Sequence, residues 1–110
     1  MTEWQTDVTG SVAVITCPER VSMAKAAAFR EAISAAVERA PRVVVDLSST
    51  AFIDSSGLGA LVSGLKTSRQ AGGDLRIVAP GEQVRTVLKL TNLDRILRPH
   101  DTIEEARGEW

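Results

Sequence analysis

The chain has 110 residues, 44% of them apolar and 25% charged, and a net charge of −1. This is the size and composition of one globular domain able to bury a core without staples. The balanced charge removes the electrostatic case for nucleic acid or an anionic membrane, and a single cysteine permits no internal disulfide.

Trp4–Val8 and Val12–Thr16 read as short strands around a TG/GS turn, hence a hairpin. Pro18 ends the second strand, because proline cannot donate to a ladder. Ser22–Ala40 is alanine-rich and strongly helical. Ala26, Phe29, Ile33, Ala36 and Val37 recur at helical spacing and make its inner face. Ser22 is the expected N-cap and Pro41 the stop. Arg42–Leu47, RVVVDL, is β-branched without alternation, as in a central strand covered on both faces.

A loop then leads into a helix over Ser55–Ala71, with Leu58, Leu61, Val62 and Leu65 toward the sheet and Gly72–Gly73 at its end. Ser56, Ser63, Gly64 and Thr67 are expected on the side away from that core. Asp74–Ala79 is a further strand, and strand–helix–strand in this order implies a right-handed parallel crossover. Pro80–Gly81 form a turn before a short helix over Glu82–Leu90, with Val84, Val87 and Leu88 inward. Asp94–Arg98 is expected as a last short strand. Asp101 with Glu104 fits a capping box opening a final helix. The sum is one α/β domain over residues 1–110, with a mixed sheet of about five strands and about four helices. Trp4 and Trp110, near the ends, are expected to pack over a sheet edge.

No apolar run reaches the ~20 residues that span a bilayer, and no basic start followed by an apolar stretch marks a signal peptide. A cytoplasmic protein that does not enter the membrane is expected. Cys17 and His100, the sole thiol and imidazole, do not make a metal site, and no glycine-rich phosphate loop is present. No cofactor is expected, and Cys17 reads as a reduced thiol at a strand end.

The chemistry concentrates at Asp54-Ser55-Ser56-Gly57. Asp and Ser are good N-caps, so simple capping is one reading. Three capping residues in a row exceed what one helix end needs, and Gly57 and Gly59 each weaken the helix by roughly 1 kcal/mol against alanine. Such glycines would strip side chains from the surface around the serines and let another protein approach. A hydrolase is disfavoured. The stretch lacks the first glycine of GxSxG, and the only candidate base, His100, falls in a polar turn, leaving the hydroxyl a poor nucleophile. A phosphorylation site is the other chemical reading. A phosphate there would meet the positive end of the helix dipole, favourable by about 0.3–2 kcal/mol. It would also stand beside Asp54 and oppose any partner that buried it.

The stretches VVVDL, the Phe-Ile-Asp-Ser-Ser-Gly-Leu loop, GG before the next strand and VRTVLKLTNLDRIL, within Val12–Ala106, together resemble the STAS domain, and in particular the stand-alone anti-sigma-factor antagonists of bacteria. The resemblance implies that Ser55 is the phosphate acceptor. It implies a partner that is both anti-sigma factor and serine kinase, bound by the unphosphorylated antagonist, which thereby frees a sigma factor, and released after phosphorylation. A phosphatase would reset the switch. No activity of the chain's own and no direct contact with nucleic acid is implied. Asp54, Ser56, Gly57, Leu58 and Gly59, with Arg20 and Ser22 of the loop before the first helix, would take part in partner binding.

One departure stands out. Where the family carries Gly-Glu-Leu-Asp, this chain has Glu19-Arg20-Val21-Ser22. Ser22 can still cap the helix, and Arg20 could pair with a phosphate on Ser55. The altered loop also leaves open a STAS scaffold or transport-system subunit without a phosphoswitch.

Overall fold

The computed structural model describes residues 4–108; Trp110 lies outside them. The hairpin is β1 (Gln5–Thr9) and β2 (Val12–Thr16), turned at Gly10, whose φ of 63° suits a residue without a side chain. After the two-residue β3 (Arg20–Val21) comes α1 (Met23–Arg39), then β4 (Arg42–Asp46), β5 (Phe52–Ile53), α2 (Ser55–Gln70) and β6 (Asp74–Val78). The chain finishes with α3 (Glu82–Leu90), a 3-10 turn at Leu93–Arg95, β7 (Pro99–His100) and α4 (Ile103–Arg107).

The main sheet has five strands in the order β1-β2-β4-β6-β7. β1 runs antiparallel to β2, and every later pairing is parallel. This is the expected α/β architecture with a mixed sheet. β4 is central and its valines divide between two clusters. Val43 and Val45 join the main core with Phe29, Ile33, Leu61 and Leu65, whereas Val44 lies with Val12, Val78 and Ala106. All three are fully buried, which is why the strand carries no polar alternation. Trp4 stacks flat on Phe29 with ring centroids 4.7 Å apart, closing the core over α1.

Several expectations give way. Asp94–Arg98 is not a strand. Asn92 adopts a left-handed conformation (φ 60°) that ends α3, and the chain then coils so that Leu97 is buried and Leu93 packs on the core. Only Pro99 and His100 pair with β6, so His100 is a half-buried strand residue and not part of a solvated turn. The last helix is capped one residue later than expected. Thr102 accepts from the Glu105 N–H at 3.1 Å, a Thr-x-x-Glu spacing that places the hydroxyl where Asp101 had been expected to act. Gly64 faces inward. A Cβ there would come within 2.6 Å of Ile33, so the glycine lets α2 lie closely on α1.

Candidate functional site

β3 and β5 form a small parallel sheet of their own, Arg20 opposite Phe52 and Val21 opposite Ile53. Two-residue strands leave no pattern to read in the sequence. The loop between β4 and β5 is tied down at both ends. The Asp46 carboxylate accepts from the Ser48 N–H at 2.9 Å, and the Thr50 hydroxyl donates to the Pro18 carbonyl at 2.8 Å. The Glu19 carbonyl accepts from the Ala51 and Phe52 N–H groups. The chain therefore enters α2 along a fixed path.

Asp54 is the N-cap of α2, and it serves two helices. One carboxylate oxygen accepts from the Gly57 N–H, the other from the Met23 N–H at the start of α1, both at 2.9 Å. These donors, Gly57 foremost, hold the carboxyl below the usual aspartate range. Ser22 occupies the N-cap position of α1, but its side chain makes no capping hydrogen bond. The expected cap of α1 thus comes from Asp54, brought 31 residues along the chain by the β3–β5 pairing.

Ser55 is the first residue of α2 and is exposed. It borders a shallow groove of about 450 Å³ whose other lining residues are Leu58, Gly59, Val62, Ser63 and Lys66 of α2, with Thr91 and Leu93 across from them. Met23, bonded through its N–H to Asp54, is 75% exposed, and Leu90, just before Thr91, is 78% exposed. The serine itself borders a groove lined in part by the apolar side chains of Leu58, Val62 and Leu93.

The structure sorts the residues expected there. Asp54, Ser55, Ser56 and Gly59 lie at least partly at the surface. Leu58 is 4% exposed and reaches only the groove floor. Gly57 is buried, and a Cβ on it would stand 2.4 Å from the Val21 carbonyl oxygen. Its lack of a side chain serves the close approach of α2 to β3 and does not strip the outer surface, as had been expected. Arg20 is exposed, but its guanidinium lies 4.4 Å from the centroid of the Phe52 ring, an attraction of about 0.5–1 kcal/mol at such a site. His100 faces Glu105 at 4.0 Å and lines a cleft with Arg76 and Glu104, a different region from the Ser55 groove. Burial pushes the Cys17 thiol well above its ordinary range, with Asp46 adding to the shift, so it is no nucleophile. Among the described residues no cluster of acidic, His and Cys side chains could hold a metal, and no helix is long and apolar enough to cross a membrane.

Sequence reading missed Met23, Thr91, Leu93 and Gln83. Met23 reaches Asp54 because α1 packs on α2, and Thr91 and Leu93 reach the groove only through the turn that follows α3. Gln83 binds both polar groups of Ile53, and nothing in its local sequence signals it.

Comparison with known proteins places these features in context. The sequence profile of the STAS domain matches residues 3–106. A Thermotoga maritima protein provisionally named an anti-sigma factor antagonist is 46% identical over 68 residues, which span 62% of this chain and 60% of that protein's length. A crystal structure of a T. maritima protein of the same provisional description superposes with a TM-score of 0.84 at 32% identity, covering 94% of this chain and 90% of that one. The anti-sigma factor antagonist SpoIIAA in its unphosphorylated form shares the fold, with a TM-score of 0.80 at 22% identity over 94% of this chain and 91% of that one.

Proposed function

The chain belongs to the STAS domain family, and we propose that it acts as an anti-sigma factor antagonist whose Ser55 hydroxyl is the phosphate acceptor. In this reading the unphosphorylated protein docks its α2 entrance and the adjoining groove on an anti-sigma factor that is also a serine kinase, so that a sigma factor is freed. The kinase transfers the γ-phosphoryl group of ATP to Ser55 Oγ. The serine O–H proton passes to a base on the kinase or to solvent, the bond from the γ-phosphorus to the bridging oxygen breaks, and ADP leaves. The protein itself needs no catalytic group for this step, and ATP is bound by the partner.

The observation that carries the reading is an exposed hydroxyl at the first position of a long helix, on the lip of a partly apolar groove. Unmodified, it is neutral and small enough to lie under a partner. Esterified, it carries a charge of about −2 beside the ionised Asp54. The first-turn N–H groups and the solvent accommodate that charge in the isolated protein. A docked partner would have to strip its hydration and face two neighbouring anions. A difference of about 2.7 kcal/mol between these states is a hundredfold in affinity. The modification therefore acts on binding far more than on folding.

The test is incubation with a cognate anti-sigma kinase and ATP, with the phosphate mapped by mass spectrometry. Phosphate on Ser55, and at least a hundredfold weaker partner binding by Ser55→Asp with an unchanged thermal midpoint, is expected. Binding indifferent to both Ser55→Asp and Ser55→Ala would instead mark a scaffold or transport-system STAS domain.

A further inference from the structure

Ile53 is the last residue of β5, directly before Asp54. β5 has a backbone partner on one side only. The Phe52 N–H donates to the Glu19 carbonyl at 3.2 Å and the Asp54 N–H to the Val21 carbonyl at 3.3 Å. Alternation along a strand turns the N–H and C=O of Ile53 to the opposite side, where the small sheet has no third strand. Gln83, in the first turn of α3, fills that place. Its Oε1 accepts from the Ile53 N–H at 2.9 Å, and its Nε2 donates to the Ile53 carbonyl at 3.0 Å. A primary amide offers the same donor–acceptor pair as a peptide unit, so one side chain stands in for a strand.

We propose that Gln83 is the positioning residue of the Ser55 site. By holding both polar groups of Ile53 it fixes the direction in which the chain enters the Asp54 cap, and so where the Ser55 hydroxyl is presented. For its consequence on phosphorylation the proposal rests on the reading of Ser55 as the acceptor; the clamp itself does not. The helix that begins beside this clamp leads, at its other end, to Thr91 and Leu93 on the far wall of the groove. The clamp and Thr91, the C-cap of that helix, are thus carried by one element, while Leu93 lies beyond the left-handed Asn92. Few side chains can substitute. Asparagine is a methylene shorter, methionine has the length but neither bonding group, and ionised glutamate offers acceptors only and repels the Ile53 carbonyl.

The experiment measures residue-resolved amide hydrogen exchange on the whole chain for wild type, Gln83→Met and Gln83→Glu, with phosphate incorporation at Ser55 by an anti-sigma kinase alongside. In Gln83→Met the Ile53 N–H loses about tenfold in protection, as expected for a partly buried donor left without an acceptor. The Gly57 N–H, held by Asp54, loses protection with it, while Val44 in β4 is unchanged. Gln83→Glu behaves like Gln83→Met near neutral pH and recovers as the pH falls through the carboxyl's pKa, because the protonated acid regains a donor. Ser55 phosphorylation falls severalfold in Gln83→Met with the KM for ATP unchanged. Wild-type protection at Ile53 and Gly57 in Gln83→Met overturns the proposal, as does a loss spread evenly to Val44. An unimpaired phosphorylation rate despite a broken clamp overturns the positioning role. A wild-type chain that accepts no phosphate removes the Ser55 reading instead, and the exchange pattern alone then decides the clamp.

Discussion

Asp54 carries more of the site than its position in a serine-rich loop suggests. Its two oxygens close the first turns of two different helices, and the donated hydrogen bonds hold its pKa below the ordinary aspartate value. A carboxyl whose pKa is lower folded than unfolded stabilises the fold fully above the unfolded value, about 3.9. That contribution is lost as the pH falls through the lower folded value. Asparagine retains one acceptor oxygen and cannot serve both N–H groups. Asp54→Asn should therefore melt below wild type by a constant margin from about pH 7 to about pH 5, and the margin should close in more acid solution. A margin that widens toward low pH in thermal melts would show that the carboxylate does not act through these bonds.

At the scale of the element, the entrance of α2 uses its two glycines for different ends. Gly57 is pressed against the β3 backbone, where a carbonyl cannot move aside without breaking the β3–β5 pairing. Gly57→Ala should destabilise by at least about 1–3 kcal/mol, as overpacking does. Gly59 is partly exposed, and a Cβ there meets only an Arg30 side-chain nitrogen at 3.6 Å, an ordinary contact. Gly59→Ala should gain up to about 1 kcal/mol in denaturant unfolding from helix propensity, yet weaken partner binding if the partner covers this turn. Equal effects of the two substitutions on stability would contradict this division.

For the molecule as a whole, the sheet is layered unequally. The face under α1 and α2 holds most of the buried side chains, whereas the other holds Val12, Val44 and Val78, covered by Ala106 of the five-residue α4. β4, buried on both faces between β2 and β6, is the deepest element. Its amides should exchange only through global unfolding, while those of β5 and β7, two residues each on short pairings, exchange through local opening. Protection factors measured across the chain would show whether that order holds. A rigid frame with a thinly paired entrance to α2 is what the proposed switch would need, since it would alter binding while the fold stays intact.

The long periodic segments of the chain were legible because each carries its own pattern. The apolar stripes of α1 and α2, the unbroken valines of β4 and the Gly72–Gly73 stop are local consequences of side-chain spacing. What the sequence left undetermined depends on pairing between distant segments. The β3–β5 sheet is too short for periodicity to announce, and it delivers Asp54 to Met23, turns Gly57 inward and leaves Ile53 for Gln83 to hold. Side-chain periodicity is a property of neighbours along the chain. Which oxygen reaches which N–H across 31 residues is fixed only when the layers close and bring the two segments together.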